Sequence, residues 1–134
     1  MIGRAVGAGL VGPGLIGGAG AVVYNDDGSA TVTIKDRSGQ AQTVRLEGGG
    51  KMFSCPDSTE AKISPYDVRL GRIDLTLRQV RRKEGQLERR YPDQTAPAPV
   101  VNRYNSLLRR DKRLVAAYNT TVDERNAIID ADCE

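Results

Sequence analysis

The chain has 134 residues, 20 basic and 17 acidic, and a formal net charge of +3. This length fits one domain, and a single Phe with no Trp argues against a thick globular core. The absence of histidine excludes a Ser–His–Asp triad and a Cys–His catalytic pair. The two cysteines form no C-x-x-C pair, so a typical four-ligand zinc site is excluded as well. We expect no catalysis, no metal and no cofactor.

The N-terminal segment, residues 1–24, is apolar and rich in glycine. Residues 5–24 carry no charge and follow Arg4, so they are just long enough to span a bilayer. Residues 19–21 also match the small-x-small pattern that signal peptidase cleaves. We therefore predict a signal peptide or a membrane anchor. Seven glycines and Pro13 weaken both interpretations, and a disordered leader or an incorrectly assigned start codon stays open.

The next segment shows the two-residue period of β-strands. Val32 and Ile34 alternate with polar residues, and Val44 and Leu46 do the same further along. The Asp-Arg-Ser-Gly-Gln sequence between the two runs is typical of a turn, so we predict a β-hairpin. A run of three glycines then interrupts the chain, and residues 51–54 are a candidate third strand. We interpret this region as a cap on a helical stalk, with a small binding module as the alternative.

Two segments on either side of a proline-rich break, residues 92–99, carry an apolar period of 3.5 residues, which is typical of coiled coils. We predict that the first helix begins at Ser64, with Pro65 in its first turn, and ends near Tyr91. The second helix is predicted from about Pro99 to about Ala131. The first seam comprises Leu70, Ile73, Leu77, Val80, Glu84, Leu87 and Tyr91, and the second comprises Val101, Tyr104, Leu108, Asp111, Val115, Tyr118, Val122, Arg125 and Ile129.

The matching seams predict that the two helices fold back on each other as a long antiparallel hairpin. A bend in the proline-rich break pairs residues whose numbers add up to about 192, such as Leu77 with Val115 and Ile63 with Ile129. The same register brings Cys133 close to the loop that carries Cys55. In an oxidising compartment these two cysteines would form a disulfide. The alternative is two free thiols in a reducing compartment.

The predicted fold class is therefore α+β and mainly α. Residues 1–24 form the apolar segment, residues 25–63 the small β region with its loop, and residues 64–134 the helical hairpin. Burial along one seam does not offset the entropy of ordering the helices, so we expect the hairpin to need the disulfide, the sheet or a second copy of itself. A candidate line for such a contact on the second helix consists of Val100, Leu107, Leu114 and Ile128.

Positive charge is concentrated on the hairpin, where residues 69–113 contain 13 basic and five acidic side chains. Solvated coiled-coil surface is one interpretation, and contact with an anionic envelope polymer, a lipid surface or nucleic acid are the others. The candidate contact residues are Arg81, Arg82, Lys83, Arg89, Arg90, Arg109, Arg110, Lys112 and Arg113.

The order of leader, cysteine-bearing β region and helical stalk predicts an exported or membrane-anchored bacterial envelope protein. Its expected role is structural or interactive, through a protein partner or through self-association of the hairpin. The alternative is a cytoplasmic hairpin that binds nucleic acid through its basic distal half. In that case the leader carries no targeting function and both cysteines stay reduced.

Overall fold

The structure, a computed structural model, describes residues 20–35, 38–47, 55–92 and 95–133. Three short strands precede two long helices, so the fold is mainly α with a small antiparallel sheet, as the sequence predicted. The strands are β1 (Gly20–Tyr24), β2 (Ala30–Lys35) and β3 (Ala41–Leu46), and the helices are α1 (Asp57–Arg90) and α2 (Ala98–Asp132).

The sheet has the order β1-β2-β3, with β2 in the middle. Val32 in β2 pairs with Val22 on one side and with Val44 on the other. The residues that alternate in the sequence alternate in burial as well, and Val32 and Ile34 are almost completely buried. The predicted hairpin of β2 and β3 is therefore confirmed.

The strand at the other edge of β2 comes from a part of the chain that was not predicted as a strand. Gly20–Tyr24 pairs with β2, although the sequence analysis assigned these residues to the end of the apolar segment. Their apolar, uncharged sequence suits a strand as well as a leader, and only the pairing with β2 distinguishes the two. The candidate strand at residues 51–54 and the rest of the apolar segment, residues 1–19, lie outside the described residues.

Helix α1 begins at Asp57, seven residues before the predicted start at Ser64. Pro65 lies inside the helix, where it lacks an N–H group and its ring crowds the carbonyl group of Ala61, a cost of about 3 kcal/mol. Contacts with the end of α2 stabilise the two turns before this proline. The side chain of Thr59 is fully buried there, and its hydroxyl donates a hydrogen bond to Asp132. The prediction that Ser64 caps the helix was wrong because these tertiary contacts outweigh the local cost.

The two helices form the predicted antiparallel hairpin in the predicted register. Arg81 pairs with Asp111, and Asp67 pairs with Arg125, so that both pairs of residue numbers add up to about 192. Helix α1 ends at Arg90, close to the predicted end, and α2 begins and ends within one residue of its predicted bounds. At 1.5 Å per residue, each helix is about 50 Å long.

The face that α2 turns toward α1 differs from the predicted second seam. Leu114 is buried and packs with Ile73 and Val80, whereas Val101 is 42% exposed and Leu108 is 37% exposed. The line that includes Leu107 and Leu114 therefore contacts α1, and Val101 and Leu108 of the predicted seam face solvent. A straight helix with 3.6 residues per turn drifts by about 20° per heptad from a period of 3.5, which moves the contact from one line to the other.

The sheet packs against the flank of α1, and β2 approaches the helix closely at Gly71. A Cβ atom at this position would lie 2.7 Å from Val32 Cγ1 and 3.2 Å from Val32 Cβ. A glycine within a helix costs about 1 kcal/mol relative to alanine. The structure shows that the missing side chain lets β2 approach the helix.

Replacing Gly71 with alanine is expected to lower the free energy of unfolding by about 1–2 kcal/mol, because overpacking against Val32 exceeds the gain in helix propensity. Gly85 is the matched control, since a Cβ atom there meets only the flexible end of Arg89, at 3.3 Å. Gly85→Ala should therefore stabilise the protein by about 0.5–1 kcal/mol. Urea denaturation of both variants measures the difference, and two changes of the same sign would contradict the packing argument.

Candidate functional site

The open end of the hairpin is closed by a covalent bond. Cys55 and Cys133 form a disulfide with a Cα–Cα distance of 4.4 Å and a sequence separation of 78 residues. Cys133 packs with Ile63 and Ile129, and the Lys62 ammonium group lies 2.7 Å from an Asp132 carboxylate oxygen beside the bond. The structure therefore brings the two cysteines together as the register predicted.

A buried polar network joins the sheet to both helices. The Asp67 carboxylate has no exposed surface and accepts hydrogen bonds from Tyr24 Oη, at 2.7 Å, and from Arg125 Nε, at 2.5 Å. Burial raises the pKa of Asp67, and Arg125 and Tyr24 oppose this shift. Burial and the carboxylate of Asp67 also raise the pKa of Tyr24.

The sequence analysis missed this network as a unit. Along the chain, Arg125 is a polar position of the second seam, Tyr24 ends the apolar segment, and Asp67 lies two residues after Pro65. The one signal in the sequence is that Asp67 and Arg125 have opposite charges and that their residue numbers add up to 192, as the predicted register requires. The network links β1, α1 and α2 through buried side chains.

A second polar cluster lies between the helices in the distal half. Glu84 is only 9% exposed. Its pKa is raised to about 6, mainly because the side chain is buried and also because it shares a hydrogen bond with Asp111. The Arg81 guanidinium group lies 3.2 Å from Asp111 and lowers the pKa of that carboxyl group. The arrangement therefore favours a protonated Glu84 that donates a hydrogen bond to an ionised Asp111.

This cluster should make stability decrease as pH rises. The pKa of Glu84 is about 6 in the folded protein, above its ordinary value of 4.5, so the folded state binds this proton more tightly than the unfolded state. The resulting contribution to the free energy of unfolding is complete below about pH 4.5 and is lost as pH rises through about 6. Glu84→Gln keeps a hydrogen-bond donor without the charge and should abolish this decrease. Urea denaturation from pH 4.5 to 7.5 measures it, with exposed Asp123→Asn as the control. If the stability of Glu84→Gln decreased with pH as much as that of the wild type, other titratable groups would be the cause.

The nine predicted basic contacts surround the distal half and do not converge on one site. Arg81 is bound to Asp111, Arg109 Nη2 donates to Ser106 Oγ at 3.0 Å, and Arg90 lies 5.7 Å above the ring of Tyr91. Arg110 is partly buried. Their role in binding an anion or a polymer stays a prediction. Eight of the nine are exposed, and Arg81 is exposed although it pairs with Asp111. The other seven are Arg82, Lys83, Arg89, Arg90, Arg109, Lys112 and Arg113.

A groove of about 450 Å³ lies at the tip of the hairpin. Leu87, Val100 and Val101 line it together with the ring of Tyr104, whose hydroxyl donates a hydrogen bond to Glu88. Most of the residues that line the groove are apolar or aromatic, and Glu88 and Asn105 are its polar members.

Within the residues that the structure describes, no group of three or more cysteine or acidic side chains is placed to hold a metal ion. Neither α1 nor α2 has a stretch that is long and apolar enough to cross a membrane.

The chain was compared with models of known protein families, with curated proteins and with solved structures, and none of them matches it. Any function must therefore be argued from the geometry of this chain.

Proposed function

We propose that this protein is a structural or interaction module of the bacterial cell envelope, exported or anchored through its N-terminal segment. The observation that supports this proposal most is the Cys55–Cys133 bond across the open end of the hairpin. Structural disulfides persist in oxidising compartments and are rare in the cytosol. Export is thus the setting in which this bond contributes to stability.

The distal half of the hairpin is the surface that we propose for the interaction. It combines the exposed apolar side chains of Val101 and Leu108 with a surrounding excess of positive charge. Such a surface favours an acidic protein partner over self-association, because two copies of it would repel each other. An anionic envelope polymer or lipid surface would be attracted by the same charge.

Fractionation of a C-terminally tagged chain, produced in a bacterial host, tests the proposal. The tagged protein should be recovered outside the cytoplasm, and without reductant neither cysteine should react with a maleimide. The Cys55→Ser variant is the matched control, because it should reach the same fraction and become labelled at Cys133.

A purely cytosolic and fully reduced product would overturn the proposal and would favour the nucleic-acid alternative. That alternative predicts binding to duplex or single-stranded DNA that weakens steeply with salt, because lysine and arginine contacts with phosphates release counterions. An electrophoretic mobility assay at two salt concentrations measures this binding. Replacing Arg82 and Arg89 together should then reduce both the affinity and its salt dependence.

A further inference from the structure

The two helices enclose a second groove near the disulfide, away from the basic distal half. Its volume is about 680 Å³, which is within the usual range for small-molecule sites. At one end, Lys62 and Asp132 are paired with each other at 2.7 Å. The walls are apolar and consist of Ala61, Pro65, Ala127, Ile128 and Ala131.

Two buried hydrogen-bond donors on α1 adjoin this groove: Tyr66 lines it, and Arg69 lies close to Tyr66 and Glu124, which both line it. Tyr66 lines the groove, is 1% exposed, and its hydroxyl has no hydrogen-bond partner. Arg69 is 3% exposed, and none of its three guanidinium nitrogen atoms has a hydrogen-bond partner. Buried polar groups in folded proteins nearly always have partners, and an unpaired buried charge is especially unfavourable. Both donors therefore require an explanation.

Helix geometry directs Arg69 toward the groove. Lys62, Tyr66 and Arg69 have the spacing i, i+4, i+7, so they lie on one face of α1. Side chains on a helix point back toward its N-terminus, which carries the guanidinium group over the turn that contains Tyr66. Burial lowers the pKa of Arg69 to about 10, and the nearby Glu124 opposes this shift. The guanidinium group thus keeps its positive charge at neutral pH.

We propose that this groove binds an amphipathic carboxylate, whose carboxylate group pairs with Arg69 and Tyr66 and whose hydrocarbon chain lies along the apolar walls. A planar carboxylate matches the geometry of guanidinium N–H groups, and the tyrosine hydroxyl supplies a further donor. Glu124 lines the same groove, so a singly charged carboxylate is favoured over a doubly charged phosphate ester. This site does not depend on where in the cell the protein resides.

Octanoate is the probe for this site, and octanol, which has the same chain length without the charge, is its control. The thermal midpoint of the disulfide-bonded protein should rise with octanoate concentration and should not rise with octanol. Isothermal titration calorimetry then gives the dissociation constant for octanoate. No response to octanoate would overturn the proposal.

Three variants test the assigned roles of the side chains. Arg69→Met should fold with at least the stability of the wild type without ligand, because it removes an unpaired buried charge, and should weaken octanoate binding by about 100-fold or more. Tyr66→Phe should weaken binding by about tenfold and should leave the apolar walls unchanged. Glu124→Gln should strengthen binding, because it removes a like charge from the groove. Arg82→Met is the matched control outside the groove and should bind octanoate as the wild type does.

The variants also distinguish the proposal from an internal pairing of Arg69 with Glu124. If that pair formed in solution, Arg69→Met and Glu124→Gln would both destabilise the protein and octanoate would not bind. If Arg69→Met failed to fold, Tyr66→Phe and Glu124→Gln would decide the question, and unchanged octanoate binding in both would overturn the site.

Discussion

Replacing Arg125 with methionine is expected to lower the free energy of unfolding by about 3–5 kcal/mol at neutral pH. Asp67 is completely buried, and Arg125 is the one cation within ion-pair distance of it among the described residues. The variant leaves the carboxylate with the Tyr24 hydroxyl alone. A buried carboxylate without a cation has a much higher free energy than the same group in water, and this raises the free energy of the folded state.

The pH dependence of this variant provides a second measurement. Without Arg125, the carboxyl group of Asp67 binds a proton more readily in the folded state than in the unfolded state. The variant should therefore approach the wild type in acid, and the loss should grow as pH rises above the ordinary pKa of an aspartate, near 3.9. Urea denaturation at pH 3.5 and pH 7.5 gives both values.

Two further variants control for the lost side-chain packing. Combining Arg125→Met with Asp67→Leu removes both charges and should recover most of the stability, because apolar side chains of similar volume replace buried ion pairs well. Arg113→Met, at an exposed position of the same helix, should change stability by no more than about 0.5 kcal/mol. A loss in Arg125→Met as small as that in Arg113→Met would show that the pair contributes little.

The architecture of the hairpin could be predicted because it depends on patterns that the sequence displays directly. The apolar positions in the two helices determine the register, and this register alone placed Cys133 near Cys55. The alternation around Val32 and Val44 identified two strands. In each case, local periodicity and the long-range contact favour the same arrangement, which is how foldable sequences behave.

The differences arose where a long-range contact overrides a local signal. Pro65 is a strong indication of a helix start, yet contacts of Thr59 and Ile63 with the end of α2 extend the helix before it. In the sequence Tyr24 ends the apolar segment, and in the structure its hydroxyl donates a hydrogen bond to Asp67 of α1. Gly71 is a poor helix former, but β2 occupies the space where a side chain would lie. None of these contacts leaves a local signal in the sequence.

The groove that we assign to a carboxylate was equally hidden in the sequence. Arg69 was counted with the other basic residues, and nothing in its neighbourhood along the chain distinguishes it from exposed Arg82. Burial, the absence of a partner and the groove beside Tyr66 make the distinction, and each is a property of the packed helices.

Reduction of the Cys55–Cys133 disulfide should lower the free energy of unfolding by about 4 kcal/mol, because the bond closes a loop of 78 residues in the unfolded chain. This is a large part of the 5–15 kcal/mol that a domain of this size typically has. Thermal or urea denaturation with and without dithiothreitol measures the change in the unmodified chain. A variant in which both cysteines are alanine should match the reduced protein and should not respond to dithiothreitol.

Hydrogen exchange locates the effect of reduction within the fold. The contacts that join the first turns of α1 to the last turn of α2 are the bonds from Thr59 and Lys62 to Asp132 and the packing of Ile63 on Ile129. Without the disulfide, Pro65 isolates these first turns from the rest of α1, so their amide groups should exchange faster. Leu114 packs against Ile73 and Val80, so the amide groups around it should still exchange only through global unfolding after reduction. Equal midpoints with and without reductant, or faster exchange that begins at the distal tip, would show that the disulfide does not hold the open end of the hairpin together.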